Sequence, residues 1–452
     1  MTSTKAFLAS AALLSALAGL AALFAPPPPT PLTNTPSAAS GGMTLSARRS
    51  HGLVHAAGSD VYTEVSVTLP AEEAPTAARG VSFVLVLDRS GSMDGQKLVD
   101  AKRAALRLAM SLGPNDELGL VHFGTDVRAV ERRRMTPDGR DALVRAIDEV
   151  TVDGSTNLSG GLSQGVELLR GAPGVRRLVL VSDGQPTAGD TSAEGLARLA
   201  DAAHAAGITL TTLGVGADYD GPLMQRLAER GGGMYGYLAS AAMLEDILGR
   251  ELSAARRSVV RNVELELATT DGFEAVDVPG RWVERTDRGT ALLHLADLQP
   301  GMTTKAWVHL RNRRVVEGAR PTLTASVRWQ RVETDDVLRA QVEVPFVAVG
   351  DADVFERSRD EAVFSKAVNA LGAVKLAAAS AAYERGDEAS ALSLLGNARS
   401  LFSMSADALA GDAQVEEVQR SFSQADAAKR KALARGLEKK LMSNFGRENE
   451  GY

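Results

Sequence analysis

The chain has 452 residues, of which 44% are hydrophobic and 23% charged, and its formal net charge is -6. This length predicts about three domains, and the composition is that of a folded globular protein rather than a disordered one. The small negative charge gives no basis for nucleic-acid binding, and the absence of cysteine excludes disulfides and cysteine-bound zinc.

The N-terminus carries the targeting signal of this sequence. Lys5 precedes an apolar run from Ala6 to Phe24, which Pro26 to Pro29 end. Residues 1–25 are therefore expected to be either a cleaved secretory signal or an uncleaved membrane anchor, with the rest of the chain exported to the periplasm or the cell exterior. Residues 26–42, rich in Pro, Ser, Thr and Gly, predict an extended linker.

Two separated parts of the chain alternate apolar and polar residues. Residues 61–69 show this pattern, and it returns in residues 263–267 and 323–329. Alternation predicts strands with one face in water, which form antiparallel sheets. We therefore predict an antiparallel β-sandwich over residues 258–350, completed by strands from residues 43–75.

The intervening residues 79–257 have a different pattern. Val81 to Leu87, Leu178 to Val181 and Ile208 to Val215 are nearly continuous apolar runs, which predict strands buried on both faces. Apolar residues then recur at steps of three and four, as in Leu98 to Leu112, which predicts helices. Alternating strands and helices predict an α/β domain with an open, doubly wound, mostly parallel sheet, inserted in or flanked by the β-sandwich.

The last part of the chain, residues 351–445, predicts a helical domain. Tyr383 to Asp387 (YERGD) predicts a turn between two Ala-rich helices, and Val415 to Met442 predicts one further helix. The pair resembles a single tetratricopeptide-like unit, and without a second copy the sequence does not predict a repeat array.

Oxygen-bearing side chains lie where the predicted parallel strands end. Asp88 opens DRSGSM, which also holds Ser90 and Ser92; Thr156 lies in GSTNL, and Asp183 ends the strand VLVSD. Because ligands collect at the carboxyl ends of strands in open α/β sheets, we expect the five side chains to meet at one rim. Their hard oxygens suit Mg²⁺, with Mn²⁺ and Ca²⁺ as alternatives, and the lack of His or Cys in these loops disfavours zinc.

The segments DRSGSM, GSTNL and SDGQP resemble the three motif segments of the metal-ion-dependent adhesion site of von Willebrand factor type A (VWA) domains. The resemblance implies a Rossmann-like VWA fold in a protein of the bacterial exported type. It also implies that Ser90 and Ser92 ligate the ion directly, that Thr156 does so in at least one conformational state, and that Asp88 and Asp183 act directly or through water.

The ligand set predicts what the ion does. Neutral hydroxyls leave a cation electron-poor with an open coordination position, which an Asp or Glu carboxylate of a partner protein would complete. We therefore expect an Mg²⁺-dependent protein-binding module for adhesion or scaffolding, and not an enzyme. The alternatives are a metal-dependent hydrolase and an envelope structural protein in which the ion only stabilises the fold. Phosphatase sites need a second Asp two residues after the first, where this chain has Ser90.

Overall fold

The computed structural model describes residues 35–71, 80–183, 185–215, 220–238, 241–270, 272–286 and 289–423. The predicted signal or anchor, most of the predicted linker and the end of the last predicted helix lie outside the described residues. The described part consists of an α/β domain, an antiparallel β domain and a C-terminal helical domain.

The strands of the described residues form four sheets. In chain order they are β1 (Ser37–Ser40), β2 (Met43–Arg49), β3 (Leu53–His55), β4 (Ser59–Thr68), β5 (Val81–Asp88), β6 (Glu117–Phe123), β7 (Val127–Arg134), β8 (Val175–Ser182), β9 (Ile208–Val215), β10 (Gly232–Leu238), β11 (Val260–Thr269), β12 (Phe273–Asp277), β13 (Glu284–Arg285), β14 (Ala291–Leu295), β15 (Thr303–Asn312), β16 (Thr322–Arg331), β17 (Val337–Pro345) and β18 (Val347–Val349).

The α-helices of the same residues are α1 (Gln96–Ser111), α2 (Pro137–Asp148), α3 (Leu158–Leu169), α4 (Ala193–Ala205), α5 (Gly221–Arg230), α6 (Ala241–Arg257), α7 (Ala352–Arg357), α8 (Glu361–Glu384), α9 (Glu388–Phe402) and α10 (Ala408–Ser423). A short 3-10 turn, Gly91–Met93, precedes α1.

The sheet of the α/β domain has the strand order β10-β9-β8-β5-β6-β7, and all its neighbours are parallel except β6 and β7. One hydrophobic cluster joins it to α1, α2 and α6, and a second joins its other face to α3, α4 and α5. Strands covered on both faces need apolar side chains throughout, which is why β5 is buried along its whole length. The strand order reverses between β5 and β8, the position at which open α/β sheets bind ligands.

The β domain contains two antiparallel sheets of five strands, β1-β2-β4-β15-β12 and β13-β14-β11-β16-β17. Strand β4 pairs with β15 along ten residues, so chain from before and after the α/β domain shares one sheet. Inward-facing residues of both sheets, among them Val65, Leu265 and Trp329, form one hydrophobic cluster. The short parallel pair of β3 and β18 contributes to the same cluster.

Residues 37–42 differ from the extended linker that their composition predicts. Ser37–Ser40 form β1, which pairs with β2 through a tight turn at Gly41 and Gly42. Both glycines have positive φ, at 49° and 81°, as two-residue hairpin turns require. The sequence did not predict β1 because its side chains are small, and the two glycines allow the turn that pairs it with β2.

The helical domain is built around α8. The predicted turn lies between α8 and α9, and its Gly386 has a φ of 79°. The third helix, α10, begins at Ala408 and not near Val415, because Phe402 packs directly over Gly411 and turns the chain back early. By length and composition α8 could cross a membrane, but 56% of its most apolar window is buried inside the structure.

Candidate metal site at the rim of the α/β sheet

Two carboxylates come from the neighbouring strands at which the strand order reverses. Asp88 is the last residue of β5, and Asp183 directly follows β8. Both are buried, with 0% and 2% of their surface exposed. The loop after β5 carries Ser90, which is buried, and Ser92, which is exposed. The strand ends therefore fix the acidic side chains, and of the two serines only Ser92 reaches the surface.

The oxygens of these residues form a continuous chain. The hydroxyl oxygens of Ser90 and Ser92 are 3.1 Å apart, and the Ser92 hydroxyl donates a hydrogen bond of 2.6 Å to Oδ1 of Asp183. Oxygens in adjacent positions around an octahedral Mg²⁺, each at about 2.1 Å from the ion, lie about 3 Å from one another. The observed spacing thus fits a small divalent cation.

Asp88 is held in one orientation by two hydrogen bonds. Its Oδ1 accepts from the backbone N–H of Ser90 at 2.8 Å, and its Oδ2 accepts from the Ser182 hydroxyl at 2.5 Å. Burial raises the pKa of the Asp88 carboxyl, the hydrogen bonds from Ser182 and Ser90 oppose this rise, and the nearby Asp183 adds to it. A cation at the rim would favour the charged carboxylate and offset this burial.

Thr156 lies in a loop that is bonded to the others through the backbone. The N–H of Gly91 donates to the carbonyl of Gly154 at 2.9 Å, which joins this loop to the one after β5. The N–H of Thr156 donates to the hydroxyl of Thr187 at 2.9 Å, which joins it to the loop after β8. The structure therefore brings Asp88, Ser90, Ser92 and Asp183 into one bonded group and places Thr156 in the adjoining loop.

Lys97 is a site residue that the sequence reasoning missed. Its ammonium forms an ion pair with Oδ2 of Asp183 and donates to the carbonyl of Ser92 at 3.1 Å. Lys97 is the second residue of α1, so its side chain can reach back to the rim. The Lys97 ammonium at this carboxylate shows that the rim attracts positive charge. The sequence signal for Lys97 is its position at the end of DRSGSMDGQK, close to the motif serines.

Further residues position the loops. The Ser182 hydroxyl and Thr187 hold Asp88 and Thr156, as described above, and Arg89 forms an ion pair of 3.0 Å with Asp153. Arg89 is 4% exposed, so this pair fixes the loop after β5 against the loop of Thr156. Thr187 lies outside the motif segments, and Arg89 and Ser182 lie inside them at positions to which the motif assigns no role.

Comparisons with known proteins identify the α/β part of the chain. Residues 83–250 match the family model of the von Willebrand factor type A domain. This part is a VWA domain, and the expected VWA α/β fold with a helical C-terminal region is confirmed. Domains of this family typically bind a divalent metal at such a rim.

The solved structures that are similar to this chain include two that cover most of it. A von Willebrand factor type A protein from Catenulispora acidiphila is 18% identical with a TM-score of 0.66, covering 86% of this chain and 91% of its own. The ArnB paralog VWA2 from Sulfolobus acidocaldarius is 14% identical with a TM-score of 0.56, covering 90% and 99%. At these identities the likeness shows the fold alone.

One curated relative is inter-alpha-trypsin inhibitor heavy chain H1 from Mesocricetus auratus. It is 34% identical over 150 residues, which are 31% of this chain and 16% of the heavy chain. The match thus spans about a sixth of that relative's length.

Proposed function

We propose that the rim of the VWA domain binds Mg²⁺ and uses it to capture an acidic side chain of a partner protein. Ser90, Ser92, Thr156, Asp88 and Asp183 would hold the ion, with Mn²⁺ or Ca²⁺ as substitutes. The observation that carries the proposal is the unbroken row of oxygens from Ser90 through Ser92 to Asp183, with 3.1 and 2.6 Å between neighbours.

The exposure of the proposed ligands supports a site that is open to a partner protein, and not a closed site in which the ion only stabilises the fold. Asp88, Ser90 and Asp183 are at most 2% exposed, whereas Ser92 faces solvent. An ion held there would keep its free position on the solvent side, where a carboxylate from another molecule can reach it. The ion supplies a positive charge that this carboxylate binds, and the protein residues only hold the ion and leave that side open.

The helix that follows the loop favours an anion at the same place. Helix α1 begins at Gln96, and its first turn contains no acidic residue. The partial positive charge at its N-terminus is therefore not offset there and favours an incoming Asp or Glu. Lys97, which pairs with Asp183, adds a second positive group on this side.

We further propose that the protein acts outside the cytoplasm, as a module for adhesion or scaffolding and without catalysis. The support for export is the apolar run from Ala6 to Phe24 in the sequence. Support for a binding role comes from the shared VWA domain of the inter-alpha-trypsin inhibitor heavy chains. The partner is expected to be a protein that presents an exposed Asp or Glu to the ion.

Affinity capture from the envelope fraction of the source cell tests the proposal. Wild-type protein should retain a partner in Mg²⁺ and release it in EDTA, and Asp88→Ala should retain none. Asp94→Ala is the matched control, because Asp94 lies in the same loop, is exposed and binds only the N–H of Gly95 in the observed contacts.

Three other results would contradict the proposal. A partner retained equally in Mg²⁺ and EDTA would exclude capture through the ion. Mg²⁺-dependent stability without any Mg²⁺-dependent partner would assign the ion a purely structural role. Turnover of phosphate or peptide substrates by the wild type, lost in Asp88→Ala, would make the protein a metal-dependent hydrolase.

A further inference from the structure

The junction between the VWA domain and the β domain contains three side chains of the kinds that bind metals. His204 lies near the end of α4, Glu264 in β11 and His294 in β14. One ligand atom of each lies within 4.8 Å of the other two. Glu264 and His294 are direct cross-strand partners on one face of a sheet, and His204 approaches that face from the other domain. This cluster shares no residue with the rim site.

Backbone carbonyls fix which nitrogen each histidine presents. Nδ1 of His294 bonds the carbonyl of Arg230, and Gly231 provides a backbone hydrogen bond to His204. Because Nε2 of His204 has no hydrogen-bond partner in the described part of the chain, the bond to Gly231 is made by its Nδ1. Metal-binding histidines almost always donate their second ring N–H to a carbonyl or carboxylate in this way. Both rings are therefore held with Nε2 free for an ion.

The strongest indication of an ion at this cluster is Nε2 of His204. His204 is 4% exposed, so its Nε2 is buried with no partner among the described residues, and an unpaired buried polar atom destabilises the folded protein. It lies 3.9 Å from Oε1 of Glu264, too far for a hydrogen bond. Two ligand atoms of a tetrahedral zinc ion, each at about 2.1 Å from the metal, lie about 3.4 Å apart. A small closing movement would satisfy both atoms through one ion.

The surroundings keep His204 in the neutral form that metals bind and orient the carboxylate of Glu264. Burial lowers the pKa of His204 well below its usual value, and His294 and Arg328 lower it further, so this imidazole is neutral at pH 7. Arg328 donates to both oxygens of Glu264, at 3.0 and 2.6 Å, and orients the carboxylate. Each carboxylate oxygen has a second lone pair that can bind an ion.

The two rings also define the movement that binding requires. The rings of His204 and His294 are stacked, with centroids 3.9 Å apart and planes inclined by 10°. An ion lies near the plane of each imidazole that binds it, so one ring must turn. His294, which is half-buried, can turn if its Nδ1 gives up the bond to the carbonyl of Arg230, and it borders a cleft that Glu229, Gly232 and Trp282 also line.

We propose that His204, Glu264 and His294 form a zinc site that fastens the VWA domain to the β domain, with its fourth position open to the neighbouring cleft. Two imidazoles and one carboxylate are a donor set that zinc binds in proteins with a water as the fourth ligand. This set differs from the hydroxyls and carboxylates of the rim, which suit Mg²⁺. The two sites are therefore expected to bind different ions independently.

Zinc binding to the full chain tests this proposal. The protein is stripped with EDTA, transferred to excess Mg²⁺, and titrated with Zn²⁺ against a chromogenic chelator, in the wild type and in Asp88→Ala to remove the rim site. We expect one zinc per chain in both. Glu264→Gln and His294→Gln should each weaken zinc binding by about 100-fold or more, since even loss of a supporting contact costs about 10- to 100-fold. His309→Gln, in the other sheet, should bind zinc like the wild type.

Cobalt gives a second readout that does not depend on the variants' folding. The wild-type protein with Co²⁺ should show the visible absorption of a four- or five-coordinate ion bound by imidazole. A weak, six-coordinate spectrum, or zinc uptake that Asp88→Ala abolishes, would overturn the proposal. Zinc affinity equal in wild type, Glu264→Gln and His294→Gln would do the same. Failure of Mg²⁺-dependent partner capture would leave this result unchanged, so the two proposals fail separately.

Discussion

The rim of the VWA sheet and the junction of the two domains both bring together side chains of the kinds that bind metals, but they are built differently. At the rim, loops after neighbouring strands of one domain supply hydroxyls and carboxylates, and Ser92 is open to solvent. At the junction, residues from two domains supply imidazoles and a carboxylate, and His204 is buried. A site within one domain can exchange its ligand freely, whereas ligands shared by two domains make any bound ion a mechanical link.

Buried charges make the junction the more fragile of the two regions. Arg177 in β8 pairs with Asp297 of the β domain and with Glu251 of α6, and all three side chains are at most 5% exposed. Arg177→Met would leave both carboxylates buried without this partner and lower the free energy of unfolding by about 3–5 kcal/mol. Urea denaturation measures this loss.

The control for Arg177 is an exposed pair in the same protein. Arg313 and Glu274 are 2.7 Å apart with side chains 72% and 41% exposed, and Arg313→Met should change the free energy of unfolding by at most about 1 kcal/mol. Equal effects of the two substitutions would show that the buried charges do not hold the domains together.

The junction is also expected to respond to acid. Burial holds the pKa of His204 below its usual value, so below about pH 6.5 the unfolded chain binds a proton there that the folded chain does not. The free energy of unfolding should therefore decrease as pH falls below 6.5, by up to about 1.4 kcal/mol per pH unit for this group. Denaturation in EDTA at pH 7 and pH 5 measures the slope.

The substitution His204→Asn distinguishes the contribution of His204 to the pH dependence of stability from that of the other titrating residues. The Asn side-chain N–H can take the place of the His204 Nδ1–H toward the carbonyl of Gly231, but it does not titrate. The variant should lose less stability between pH 7 and pH 5 than the wild type does. Parallel pH profiles would show that His204 does not contribute.

At the rim, the comparison predicts a smaller effect at Lys97. Its ammonium competes with an ion for Asp183, and its side chain is 36% exposed, where an ion pair contributes about 1 kcal/mol or less. Lys97→Met should therefore strengthen Mg²⁺ binding by up to about fivefold, since 1.4 kcal/mol corresponds to tenfold. Calorimetric titration of the wild type and Lys97→Met with Mg²⁺ measures this difference. Weaker Mg²⁺ binding by the variant would mean that Lys97 stabilises the loops more than it competes with the ion for Asp183.

The same contrast explains what the sequence could predict. The buried strands could be predicted from apolar runs such as Val81 to Leu87. The five rim residues could be predicted because each lies in a short motif segment that can be recognised from neighbouring residues in the chain. Strands β4, β11 and β16 were predicted from their alternation, although only the structure shows their register and the pairing of β4 with β15. Local patterns therefore predicted most of the architecture.

What stayed hidden depends on contacts between distant residues. His204 and His294 are 90 positions apart and belong to no motif, so only the docking of two domains brings them together. The role of Ser182 depends on β8 lying beside β5. The hairpin at Gly41 and Gly42 was missed because β1 has no large apolar side chain.

The central claim is that loops distant in sequence hold a divalent cation at the rim and leave its shell incomplete. Calorimetric titration of the full chain with Mg²⁺ tests it most directly, in the wild type, Asp88→Ala and Asp94→Ala. The account predicts one ion per chain in the wild type and in Asp94→Ala, and none in Asp88→Ala at the same concentrations. No Mg²⁺ or Mn²⁺ uptake by the wild type, or equal uptake by Asp88→Ala, would contradict it.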